Sequence, residues 1–85
     1  MTKNERLSLW LIALRQKLCL SQERLAQDLN VSFCSINRWE NGKSYPFRHM
    51  FATIENYIKS KIKDKHLSQN DLTAFHQATT ESKNG

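Results

Sequence analysis

Two short apolar segments, each preceded by a serine and separated by only a few residues, constrain this chain more than any other feature. Ser21 opens the first and Ser32 the second. A serine in that place accepts a hydrogen bond from a backbone N–H just inside the helix, so each is read as an N-cap. The first helix is predicted over Gln22 to about Leu29, with Glu23 in the first turn, where the helix dipole favours an anion. Leu25, Ala26 and Leu29 face inward. Asn30 follows, and asparagine tolerates the left-handed conformation that ends helices. The second helix is predicted over Phe33 to about Glu40, closed by Asn41 and a left-handed Gly42.

Two short helices joined by so tight a turn suggest a helix-turn-helix. Such a unit needs a small residue where its helices cross, and Ala26 is small. Its turn needs positive φ, which Asn30 can adopt. Its second helix must pin one side to a core and leave the other bare. Ile36 and Trp39 are the pins, and Phe33, Cys34, Asn37 and Arg38 fall on the opposite side.

The flanking segments also read as helices. Thr2 with Glu5 has capping-box spacing and starts a helix from about Lys3 to Leu18. Leu7, Trp10, Leu11, Leu14 and Leu18 share one face of it. Leu9 and Ile12 lie on another face and need a separate cover. After a Lys43–Pro46 loop, a helix is expected from about Phe47 to Lys63, its inner stripe formed by Phe47, Met50, Phe51, Ile54, Ile58 and Ile62. Ser68 with Asp71 can cap a final helix to about Thr79 that presents Leu72 and Phe75. Residues 1–79 are therefore read as one domain, and 80–85 as a disordered tail. Leu9, Ile12, Leu67, Leu72 and Phe75 form the expected contact with a second copy or a protein partner.

Composition narrows the function classes. With two glycines and one proline in 85 residues, a turn-rich all-β fold is disfavoured. The net charge of +5 favours an anionic partner, and nucleic acid is the first candidate. No apolar stretch approaches a membrane span, and Met1 to Glu5 lead into an amphipathic pattern rather than a signal peptide. Cys19 and Cys34 make neither a disulfide framework nor a zinc pair, which fits a reducing cytoplasm. His49, His66 and His76 are too scattered for a metal site. No cofactor motif or nucleophile–base arrangement is present in the sequence, so no enzyme is expected.

The stretch LRQKLCLSQERLAQDLNVSFCSINRWENGKSYP resembles the DNA-binding domain of phage repressor and Cro-type (XRE-type) helix-turn-helix regulators. The matching features are Ser21-Gln22, Leu25-Ala26, Leu29, Val31-Ser32, Ile36 and Trp39 to Lys43 before Pro46, within a likeness running roughly from Leu7 to Ile58. The resemblance implies an all-α, compact four- to five-helix repressor-like domain. It implies a recognition helix in the major groove, with Ser32, Phe33, Cys34, Asn37 and Arg38 at base edges. Gln22, Asn41, Lys43 and Ser44 would hold phosphates, and Arg15 with Glu40 would form a structural ion pair. Two departures stand out. Cys19 and Asn30 occupy places where the family often has glycine, and Phe33 and Cys34 replace polar amides that donate to purine edges. Phe33 could instead pack on a thymine methyl, and Arg38 could donate to guanine O6 and N7. Asn37 can face a base edge or solvent. Cys34 is read as a small residue rather than a redox switch.

The expected function is a sequence-specific regulator, a repressor that binds a palindromic operator in double-stranded DNA as a homodimer. The alternative is an antitoxin-type module that neutralises a partner protein and regulates its own promoter. A restriction-modification controller has the same length, and the sequence does not choose among these.

Overall fold

The computed structural model describes residues 1–79, and the tail expected over 80–85 lies outside the described residues. Among the described residues there are five helices and no strand: α1 (Lys3–Lys17), α2 (Gln22–Leu29), α3 (Phe33–Glu40), α4 (Met50–Lys63) and α5 (Gln69–Thr79). The all-α expectation holds.

Local chemistry sets the first three boundaries. The Thr2 hydroxyl accepts from the Glu5 N–H at 3.1 Å, and the Glu5 carboxylate accepts from the Thr2 N–H at 2.9 Å. Ser21 and Ser32 accept from Arg24 N–H and Ser35 N–H, satisfying donors that the first helical turn leaves open. Helix α1 stops at Lys17 with a left-handed Cys19 (φ 58°). Cys19 N–H donates to the Gln16 carbonyl at 3.1 Å and Leu20 N–H to the Arg15 carbonyl at 3.0 Å, a Schellman ending. The same pair of bonds closes α2 at Asn30, α3 at Gly42 and α4 at Lys65. Of these four left-handed residues only Gly42 is free of a Cβ penalty, so Cys19, Asn30 and Lys65 hold local strain.

Leu11, Leu14, Leu25, Leu29, Ile36, Ile54 and Ile58 form the centre of the core. Ile36 is fully buried and Trp39 nearly so, as expected of the pins. Tyr57 donates to Asp28 at 2.9 Å and ties α4 to α2. Burial and that carboxylate push the Tyr57 pKa upward.

Two expectations are corrected. Helix α4 begins at Met50 rather than Phe47. After Pro46 the chain makes a tight turn, in which Met50 N–H reaches the Phe47 carbonyl and Phe51 N–H the Arg48 carbonyl. The turn leaves Phe47 75% exposed instead of in the inner stripe. The second correction concerns Leu67, Leu72 and Phe75, assigned to a dimer or partner contact. All three are buried within the single chain. Helix α5 lies against α1 and α4, with the Phe75 ring 5.0 Å from Trp10 and 6.1 Å from Phe51, centre to centre. Burying such a side chain within one chain stabilises it by about 1.5–3 kcal/mol without any partner, and a core this small needs that contribution. Of the set, Leu9 stays exposed and Ile12 half-buried.

Candidate nucleic-acid interface

The site is built on α3, and α3 is held by charge as well as by apolar packing. Arg15 meets Glu40 as a fork, Nε to Oε2 at 2.7 Å and Nη2 to Oε1 at 3.0 Å. The Glu40 side chain is 5% exposed and that of Arg15 22%, so the pair is largely desolvated, as its sequence assignment implied. The bond to Glu40 raises the pKa of the Arg15 guanidinium above its ordinary value. Arg15 also donates to the Leu20 carbonyl at 3.0 Å, and the buried Ser8 hydroxyl donates to the Glu40 carbonyl. Helix α1 thus grips the far end of α3 through both the backbone and the side chain of Glu40.

The network continues outward. Gln22 Nε2 donates to Glu40 Oε1 at 2.9 Å, Asn37 Nδ2 to Gln22 Oε1 at 3.3 Å, and Asn41 Nδ2 to Asn37 Oδ1 at 3.1 Å. Gln22 and Asn37, assigned to a phosphate and to a base edge, are therefore engaged inside the protein. An amide nitrogen carries two hydrogens, so Gln22 and Asn41 each keep one donor for a further partner.

The opposite side of α3 is bare. Phe33 is 46% exposed, and Cys34, a free thiol, and Arg38 are exposed beside it. Arg38 makes no side-chain hydrogen bond or ion pair among the described residues. Ser32 is exposed at the start of the helix, its hydroxyl 3.0 Å from that of Ser35. Lys43 is exposed and Ser44 half-buried just past the helix end. The assigned residues thus fall into a tied group and an open group on one continuous surface. Leu67, Leu72 and Phe75 are not part of it.

Some participants were missed from sequence. Ser8 sits on α1 among its apolar stripe, and Asn4 donates to the Gly42 carbonyl at 3.3 Å, bracing the end of α3. Ser35, Phe47 and His49 line a groove of about 530 Å³ between α3 and the following loop. Ser35 falls three residues after the Ser32 cap and Phe47 directly after Pro46, but neither spacing signals a groove.

The profile of a family described as "Helix-turn-helix" matches residues 11–57, more than half of the chain. The chain belongs to this XRE-type helix-turn-helix family. A curated relative, the HTH-type transcriptional activator BcrR of Enterococcus faecalis, is 36% identical over 63 residues, which cover 74% of this chain and 30% of the relative. The chain therefore spans less than a third of that relative's length. No solved structure gives a significant match. The helix-turn-helix match enters within α1 and ends at Tyr57 within α4, so α5 lies outside it. No helix among the described residues is long and apolar enough to cross a membrane.

Proposed function

We propose that this chain is a sequence-specific transcription regulator that binds a palindromic operator in double-stranded DNA as a homodimer and acts as a repressor. The observation that carries the reading is the outer side of α3, where Phe33, Cys34 and Arg38 stand exposed on a helix pinned from behind by Ile36 and Trp39. A helix so held can enter the major groove as a rigid element. Arg38 donates to guanine O6 and N7, Phe33 and Cys34 pack on thymine methyls, and Ser32 reaches the base at the helix start. Lys43, Ser44, Asn41 and the spare hydrogen of Gln22 meet phosphates and set the register. The relative's name describes an activator. Activation needs a further contact to polymerase, whereas a bound domain represses simply by occupying the promoter.

One α3 spans few base pairs, which is the argument for two copies. With Leu67, Leu72 and Phe75 in the core, Leu9 and Ile12 are left to form the contact between them. Selection of bound duplexes from random DNA tests the reading. The expected product is an inverted repeat with half-sites about one helical turn apart. Recovery of unenriched sequence would rule out operator recognition. A promoter carrying the selected site should fall in output when the protein is expressed; a rise would reverse the assigned sign.

A further inference from the structure

The outer side of α1 is an exposed surface that neither the core nor the recognition helix uses. Glu5, Leu9, Ile12, Ala13 and Gln16 follow one another there at helical spacing, opposite the buried Leu7, Leu11 and Leu14. Leu9 is 56% exposed and Ile12 half-buried, while Glu5, Ala13 and Gln16 are exposed. Helix α1 turns Ser8 and Arg15 to α3, and Trp10 and Lys17 to α5, which leaves the stripe between them uncovered.

The stripe is complementary to itself. Leu9 and Ile12 lie equally far on either side of one midpoint of α1, and so do Glu5 and Gln16. Two antiparallel copies of α1 related by a two-fold axis at that midpoint therefore set Leu9 of each against Ile12 of the other, and Glu5 against Gln16. The charges agree. Glu5 is the acid of the first turn and Arg15 and Lys17 are the bases of the last, and antiparallel pairing brings the acidic end of each helix to the basic end of the other. Lys3 and Arg6 are turned aside, to the Tyr45 ring and the Met1 carbonyl. The Gln16 amide makes no side-chain hydrogen bond among the described residues, and Glu5 spends one carboxylate oxygen on the Thr2 N–H and keeps the other. A recess beside Leu9, between α1 and the end of α3 with Met1 and Gly42 on its rim, has room for an incoming apolar side chain.

We propose that a second copy of this chain docks on the outer side of α1, as an antiparallel α1–α1 pair in which Leu9 packs on Ile12 and Gln16 donates to Glu5 across the two-fold axis. The proposal rests on the homodimer reading above and gives it a register. A two-fold axis perpendicular to such a pair keeps whatever flanks each helix on one side. Ser8 and Arg15 fasten α3 to one flank of α1, so both recognition helices come to the same face of the dimer, where one duplex can meet them.

The test compares full-length variants on two duplexes, the selected inverted repeat and the same DNA with one half-site scrambled. The parent chain should bind the inverted repeat cooperatively. Leu9→Ser, at an exposed position, should keep the parent's thermal midpoint and its affinity for the single half-site. On the inverted repeat it should lose about tenfold of the cooperative gain, because each dimer loses two apolar contacts. Gln16→Glu sets like charges face to face and should lose part of the gain. Glu5→Gln/Gln16→Glu exchanges the partners, keeps a capping residue at the start of α1 and should regain it. Undiminished cooperativity in Leu9→Ser and Gln16→Glu would overturn the α1 pair and leave the homodimer standing. Loss of half-site affinity in folded Leu9→Ser would also overturn it, by making Leu9 a DNA contact. Absence of rescue in the double variant would overturn the antiparallel register. Independent filling of the two half-sites by the parent chain would instead remove the homodimer reading, and the proposal with it.

Discussion

Asn37 and Arg38 are neighbours on α3 with contrasting surroundings. The Asn37 amide donates to Gln22 and accepts from Asn41, and through Gln22 it connects to Glu40 and Arg15. The Arg38 guanidinium, one residue on and 100° around the helix, points into solvent. The first side chain has already lost its rotamer freedom on folding; the second loses it only on binding. One side of α3 therefore fixes where the helix sits, and the other, on the proposed reading, distinguishes what it meets. Base discrimination would then depend on both, because a guanidinium fork tolerates little misplacement against a purine edge.

Breaking the tied side at its root should have the largest effect. Glu40→Ala leaves Arg15 partly buried without its carboxylate, and an expected loss of about 3–5 kcal/mol would show in urea unfolding. Arg15→Ala should lose a similar amount, with strong coupling in the double mutant. Additive single effects would mean that the pair contributes little of its own.

Next in size is Arg38→Ala. Stability should not change, while operator affinity falls by about 1–3 kcal/mol and preference relaxes at one position per half-site. A uniform loss over all operators would make Arg38 a phosphate contact. Asn37→Ala gives the mirror test. Here about 0.5–1.5 kcal/mol of stability is expected to go, with no base preference altered. A change of preference at one base pair would move Asn37 to the reading side and dissolve the contrast.

The smallest effect comes from an exposed pair that calibrates the buried one. Lys17 bonds Asp71 at 2.7 Å, with the lysine 55% exposed. Burial works to raise the Asp71 pKa, but the hydrogen bonds from Lys17 and the Ser68 N–H outweigh it and hold the pKa below the ordinary aspartate value. The native state thus favours the ionised form. The associated stability is present above the ordinary aspartate pKa and is lost as pH falls through the lowered one. Asp71→Asn should therefore be less stable than the parent by about 0.2–1 kcal/mol at neutral pH, and the two should converge in acid. Urea titrations at several pH values would check this, and a gap that persists in acid would assign the loss to something other than charge.

Sequence legibility followed the range of the interaction. Helices α1 to α3 were readable because Thr2, Ser21 and Ser32 act on N–H groups within three residues. The start of α4 was not, because His49 offers no side-chain cap and Phe47 has the right phase for a stripe it does not join. Helix α5 announced an apolar face, but periodicity states only that a face is buried, not against what. In the site, Arg15 and Glu40 came from family likeness. The Gln22–Asn37 link did not, since amides 15 residues apart meet only once the angle between α2 and α3 is set, whereas Asn37 and Asn41, four apart, are neighbours at the end of one helix.

The position of α5 also bears on the order in which the protein is made. The helix-turn-helix is complete in sequence by Lys43, yet α1 and α4, which support it, are themselves covered by α5 through Phe75. A nascent chain halted between Phe51 and Phe75 would carry the whole helix-turn-helix with Trp10 and Phe51 lacking the Phe75 ring that covers them. Domains generally fold as units during synthesis. A ribosome-bound intermediate of this chain would hence present a sticky apolar cleft between α1 and α4 until α5 emerges to close it.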